Sequence, residues 1–213
     1  TTHMTTNNIY TVCVGRDKKI SNCAEDFTIV QDNFIMIAGD SYKPTLKAFD
    51  KGGKETLLPP KDTLEIASTL NLLGTDESTI YAIAAGKGDI TIKDITTGKT
   101  NKNKQWVEVI EPVFKDKEVT LDIDKTLTLS LVDEEDRVIK LYGNERIFEF
   151  STDKPDIVDV IPDSSNPLKV KVTAKAGGEA YVIATNKKTS KQVMVLIKVD
   201  ECGMATNPII HHV

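Results

Sequence analysis

Asp122 and Asp124 are spaced by two, which on a strand would set both carboxylates on one face. Asp133, Glu134, Glu135 and Asp136 crowd a single turn. Such groups can supply oxygen ligands to calcium. No Asp-x-Asp-x-Asp-Gly loop surrounds them, so the run reads as a solvated acidic turn and no metal is expected. A glycosidase needs two carboxylates across a cleft, and nothing in the order of residues marks such a pair. The three histidines are His3, His211 and His212, all at the ends of the 213-residue chain. That excludes a Ser-His or Cys-His nucleophilic pair from the body of the chain. Gly86-x-Gly88 and Gly177-Gly178 lack the strand–loop–helix setting and the following Gly-Lys-Ser/Thr of a nucleotide loop, and read as turn glycines. The expectation is no catalytic residue, no cofactor-binding residue and no cofactor: the chain is not an enzyme.

The remaining chemistry lies in three cysteines, Cys13, Cys23 and Cys202. Cys13 and Cys23 could close a small hairpin-like loop in an oxidising compartment, leaving Cys202 unpaired. The other reading is three thiols with no bridge. No Cys-x-x-Cys pair is present, so the spacing does not describe a zinc site. Trp106 is the single tryptophan, and its place at the start of a strand-like run reads as core.

A net charge of −5 favours solubility and gives no basic patch or stripe for nucleic acid. No run approaches the roughly 20 apolar residues of a membrane-spanning helix. Thr1-Thr2-His3-Met4 reads as a remnant of cloning. The following Thr5-Thr6-Asn7-Asn8 has neither the basic start nor the apolar stretch of a signal peptide.

The elements that must position these residues are short strands. Leu168, Val170, Val172 and Ala174 alternate with Lys169, Lys171 and Thr173, the pattern of a strand with one buried face. Tyr181 to Ala184 is a compact apolar run, consistent with a central strand, and Val193 to Val199 is the last strand. Pro155, Pro162, Asn166-Pro167 and Gly177-Gly178 punctuate the stretch. A fainter copy lies about ninety residues upstream: Ile80 to Gly86, then Ile90 to Ile92, a polar loop over 96–104, and a closing strand from Trp106 to Ile110. Residues 62–73 carry two signals. Asp62-x-x-Glu65 resembles a capping box and Gly74 could end a helix, whereas alignment of the two copies favours a strand near Glu65 to Thr69. Short strands at turn-punctuated spacing predict an all-β sandwich.

Phe148-Glu149-Phe150-Ser151-Thr152-Asp153-Lys154-Pro155-Asp156-Ile157-Val158 resembles the "aromatic, x, Ser-Ser-x-x-Pro-x-Val-Ala" signature of group 2 bacterial immunoglobulin-like domains, with Phe where Trp is usual. Val172-Thr173-Ala174-Lys175-Ala176-Gly177 resembles that family's "Val-Thr-Ala-x-x-x-Gly". Gly177 to Ile183 and the closing Ile197-Lys198-Val199 are similar to its last two strands. The resemblance implies two tandem immunoglobulin-like β-sandwiches. Residues 1–25 would form an N-terminal arm or hairpin, 26–112 the first domain, 113–200 the second and 201–213 a tail. It further implies a structural or adhesive module on a bacterial surface. Two alternatives are a bacteriophage structural protein, such as a capsid decoration or tail component in the virion, and an accessory domain pair of a secreted carbohydrate-active enzyme. The partners expected are a protein, a surface glycan or neighbouring subunits of an assembly, with no nucleic acid and no membrane span.

Overall fold

The structure is a computed structural model that describes residues 13–14, 20–21, 23–31, 33–76 and 79–201. His3, His211, His212 and Cys202 lie outside the described residues. The chain divides into two units, one of residues 1–110 with Leu141–Glu145, the other of 111–140 with 146–213.

In unit 1 the strands are β1 (Cys13–Val14), β2 (Ile20–Ser21), β3 (Asp26–Ile29), β4 (Phe34–Ile37), β5 (Ser41–Tyr42), β6 (Leu46–Phe49), β7 (Glu55–Thr56), β8 (Leu64–Ser68), β9 (Leu73–Asp76), β10 (Thr79–Ala82), β11 (Gly86–Asp94) and β12 (Gln105–Ile110). β4, β12, β11 and β8 form one sheet in that order, with β4 and β12 parallel. The facing strands form two half-sheets, β3-β6-β7 and β5-β10-β9. The break falls between β5 and β6, at Lys43-Pro44-Thr45. Pro44 has no N–H to give a ladder, so the strand is interrupted there. Phe27, Ile29, Met36, Ile66, Ile80, Ile92, Val107 and Val109 fill a single core between the layers.

Residues 62–73 resolve in favour of a strand. β8 is flanked by single 3-10 turns at Lys61–Thr63 and Thr69–Asn71. The capping-box reading fails because no side chain caps the first turn, and β11 supplies a ladder from Ile90↔Ser68 to Asp94↔Leu64.

Unit 2 holds β13 (Val113–Phe114), β14 (Glu118–Asp122), β15 (Thr126–Val132), β16 (Phe148–Thr152), β17 (Val158–Pro162), β18 (Lys169–Ala174), β19 (Gly178–Asn186) and β20 (Gln192–Asp200). Two sheets result, β13-β15-β18-β17 and β14-β20-β19-β16, with β14 parallel to β20. The alternation on β18 does what its pattern predicts: Val170, Val172 and Ala174 are buried, and the intervening lysine and threonine side chains face out. Phe148 and Phe150, in the place of the usual Trp, are both buried, and Phe150 packs 6.4 Å from Phe114. The fold is all-β and immunoglobulin-like, each unit a β-sandwich.

Candidate interaction surface

The groups singled out for chemistry are dispersed. Asp122 ends β14, while Asp124 sits in the following turn at φ 65°, so the two carboxylates do not share a strand face. The acidic turn is only partly solvated. Asp133 is buried and accepts a hydrogen bond from the Arg137 backbone N–H, and its other oxygen meets Arg137 Nε. Glu134, Glu135 and Asp136 are exposed. Among the described residues no group of three or more His, Cys, Asp or Glu side chains could hold a metal ion. Gly86 and Gly178 open β11 and β19 at φ 153° and 136°, where a Cβ would meet the side chains of Leu72 and Ile157 at 2.9 Å. Each serves close packing at a strand start.

Cys23 is buried and disulfide-bonded. Cys13 stands on β1 opposite Ser21 of β2, and its side chain lies outside the described residues.

Trp106 is not core. On β12, Gln105, Val107 and Val109 point inward, and Trp106 lies half-buried on the outer face with Lys87 Nζ 4.1 Å from its ring centroid. A lysine over an indole face is an attractive cation–π contact. The start of β12 is sealed by side chains. Asn33 Oδ1 accepts the Trp106 N–H at 3.0 Å, and Gln105 exchanges two hydrogen bonds with the backbone of Ile29.

The outer face of the β14-β20-β19-β16 sheet differs. Tyr181 stands opposite Leu196, and Ile183 opposite Met194. These four side chains make an apolar square on the solvent side. Tyr181 is 43% and Met194 56% exposed, and the other two are half-buried. The rim carries Glu118, Glu149, Asp153 and Glu179, with Lys198 bound to Glu118 at 2.8 Å. Asp153 also receives the Tyr181 N–H at 2.7 Å. The square was legible in one feature that the strand assignment passed over. Val193-Met194-Val195-Leu196-Ile197 is apolar at every position, so both faces of that strand are apolar, although one of them faces water.

No family model matches the chain, and no curated protein sequence matches it. Among solved structures, the S-layer protein SbsC domains 4 and 5 is similar at 19% identity and a TM-score of 0.36, over 82% of this chain and 98% of that one. The larger S-layer protein rSbsC(31-844) matches at 18% identity and a TM-score of 0.33, over 82% of this chain, which spans 27% of that chain's length. Invasin, a bacterial integrin-binding protein, matches at 17% identity and a TM-score of 0.29, over 82% of this chain and 38% of its own. Likeness at this level says nothing of the activity or partners of this chain.

Proposed function

We propose that this chain is a non-enzymatic structural or adhesive module of a bacterial cell-surface protein, built from two modules over 26–112 and 113–200. The observation that carries it is the exposed apolar square of Tyr181, Ile183, Met194 and Leu196 on an otherwise polar sheet face. An apolar cluster with a polar rim is the anatomy of a protein–protein contact. The family resemblance of residues 148–199 supports the bacterial surface setting. The Cys23 disulfide supports an oxidising compartment, and we assign Cys13 as its partner.

The test is the location of the native protein. An antibody raised against the chain would be used on envelope fractions, culture supernatant and purified phage particles, with the native N-terminus read by mass spectrometry. The expected result is a chain in the envelope or supernatant. Co-purification with phage particles would replace the surface reading with a virion component. Recovery with a secreted glycan-degrading enzyme on one parent chain would make this an accessory domain pair.

A further inference from the structure

Among the described residues, the start of β20 is an unpaired sheet edge. Leu196 donates its N–H to Lys117 O at 3.0 Å, so Leu196 turns its peptide groups away from β19. Alternation gives Met194 the same orientation. The neighbouring strand β14 first pairs with β20 at Glu118↔Leu196. Among the described residues, nothing hydrogen-bonds the outward N–H and C=O of Met194. The cause is a sheet switch. Lys115 donates its N–H to Ser130 O of β15, and two residues later Lys117 O serves β20. The three residues Lys115–Lys117 cross from one sheet to the other, so that β14 does not pair with Gln192–Val195.

The counterpart edge in unit 1 is closed. There Asn33 caps the Trp106 N–H and Gln105 clamps Ile29. The opening in unit 2 is thus a property of its own sequence and not of the shared topology. Alongside it runs a groove of about 900 Å³, with Val113, Phe114, Val132, Val193 and Met194 among its lining residues. Its charged lining is Lys115 and Lys117 against Asp116, Asp133, Glu134 and Asp136. Asp133 is held by Arg137 and Asp136 lies 3.9 Å from Lys115, so the acidic character offered to a partner comes from Asp116 and Glu134. The rim of the adjoining apolar square is also predominantly acidic. An unpaired edge with an apolar outer face on one side and, on the other, a groove that carries Asp116 and Glu134 calls for a strand that alternates apolar and basic side chains.

We propose that the β20 edge at Gln192–Val195 binds an extended peptide segment of a partner protein by strand addition, the segment alternating apolar and basic residues. Main-chain bonds to Met194 supply the register. One set of side chains lies beside Met194 and Leu196 on the outer face. The other, basic set enters the groove, its stems over Phe114 and Val132 and its charges on Glu134 and Asp116. The proposal rests on the reading of the chain as a binding module.

The experiment is a titration of the full 15N-labelled chain with a seven-residue peptide of alternating lysine and valine, blocked at both ends. Expected are amide shifts clustered at Val193–Leu196 and Val113–Lys117, and slower hydrogen exchange at the Met194 amide. Met194→Leu keeps the binding. Met194→Lys sets a charge on the edge and weakens the binding by about tenfold, the loss of one good contact. The dispersion of the variant spectra shows whether each remains folded. Three results would overturn the proposal. They are an absence of shifts at that edge, equal binding of a valine–glutamate peptide, or the same shifts appearing with protein concentration alone, which would make the occupant a second copy of this chain. None of these alters where the native protein is found, so a failure here is separable from a failure of the surface reading.

Discussion

Gln105 is a buried amide whose two hydrogen bonds join the two layers of unit 1. Its Oε1 takes the Ile29 N–H at 2.8 Å, and its Nε2 gives to Ile29 O at 2.9 Å. Gln105→Ala would strand a buried donor and a buried acceptor together. The expected loss is about 2–3 kcal/mol of stability, read from denaturant unfolding of unit 1 by the fluorescence of the single tryptophan, Trp106. An unchanged midpoint would show that Ile29 finds other partners. Asp40 makes a different residue-scale case. It is buried, and burial raises its pKa, although the N–H groups of Ser41, Tyr142 and Gly143 oppose that rise. A folded-state pKa above the unfolded value means that folding favours the protonated form. Its contribution to stability is therefore complete below the unfolded pKa and is lost as pH rises through the folded one. Glu25 has the opposite sign. Its hydrogen bond with Lys99 lowers the pKa, so its contribution is present above the unfolded value and is lost as pH falls through the folded one. Carboxyl 13C titration should place the Asp40 midpoint above, and the Glu25 midpoint below, their ordinary ranges.

At the scale of elements, β1 and β2 pair, among the described residues, at Cys13↔Ser21 and Val14↔Ile20. A two-stranded hairpin is marginal in water without further support. The bridge assigned between Cys13 and Cys23 would supply that support by shortening the loop ensemble of the unfolded arm. Non-reducing peptide mapping should recover Cys13 and Cys23 in one linked fragment. Reduction should speed hydrogen exchange at Val14 and Ile20 while leaving β15 to β20 unchanged. A fragment linking Cys23 to Cys202 instead would overturn the assignment. How far the elements were legible follows from the same physics. β15, β18 and β19 bury alternate residues, and period two survives in the sequence whatever the partner strand. The split of the facing layer at Pro44 was not legible as a split, because Pro44 ends a ladder without saying which strands remain on either side. The faces of Trp106 and Met194 were missed for a related reason. Large apolar residues read as core, but on β12 and β20 the inward positions were already taken by Val107 and Val109 and by Val195 and Ile197.

At the scale of the whole chain, order in sequence and membership of a folded unit part company at Leu141–Glu145, which belong to unit 1 although they follow β15 of unit 2. Chemistry explains the membership. Tyr142 lies 4.4 Å from the Tyr42 ring and 6.1 Å from Phe34, centroid to centroid, and its hydroxyl accepts from Gln31 Nε2 at 2.9 Å. The N–H groups of Tyr142 and Gly143 reach Asp40 at 2.7 and 3.0 Å. A fragment of residues 1–112 would therefore have a complete set of unit 1 strands yet lack this segment. Asp40 would keep only the Ser41 N–H at 2.8 Å, and the rings of Phe34 and Tyr42 would lose a covering neighbour. The expected deficit relative to the full chain is about 2–4 kcal/mol, from uncovered apolar area and two lost hydrogen bonds to a charged group. Tyr142→Ala in the full chain separates the parts. It removes the ring and leaves both backbone donors, so it should cost about half as much. A fragment as stable as the full chain, by Trp106 fluorescence in urea, would mean that residues 141–145 rest on unit 1 without stabilising it. Equal losses in the fragment and in Tyr142→Ala would place the whole effect in the aromatic cluster and none in the Asp40 carboxylate.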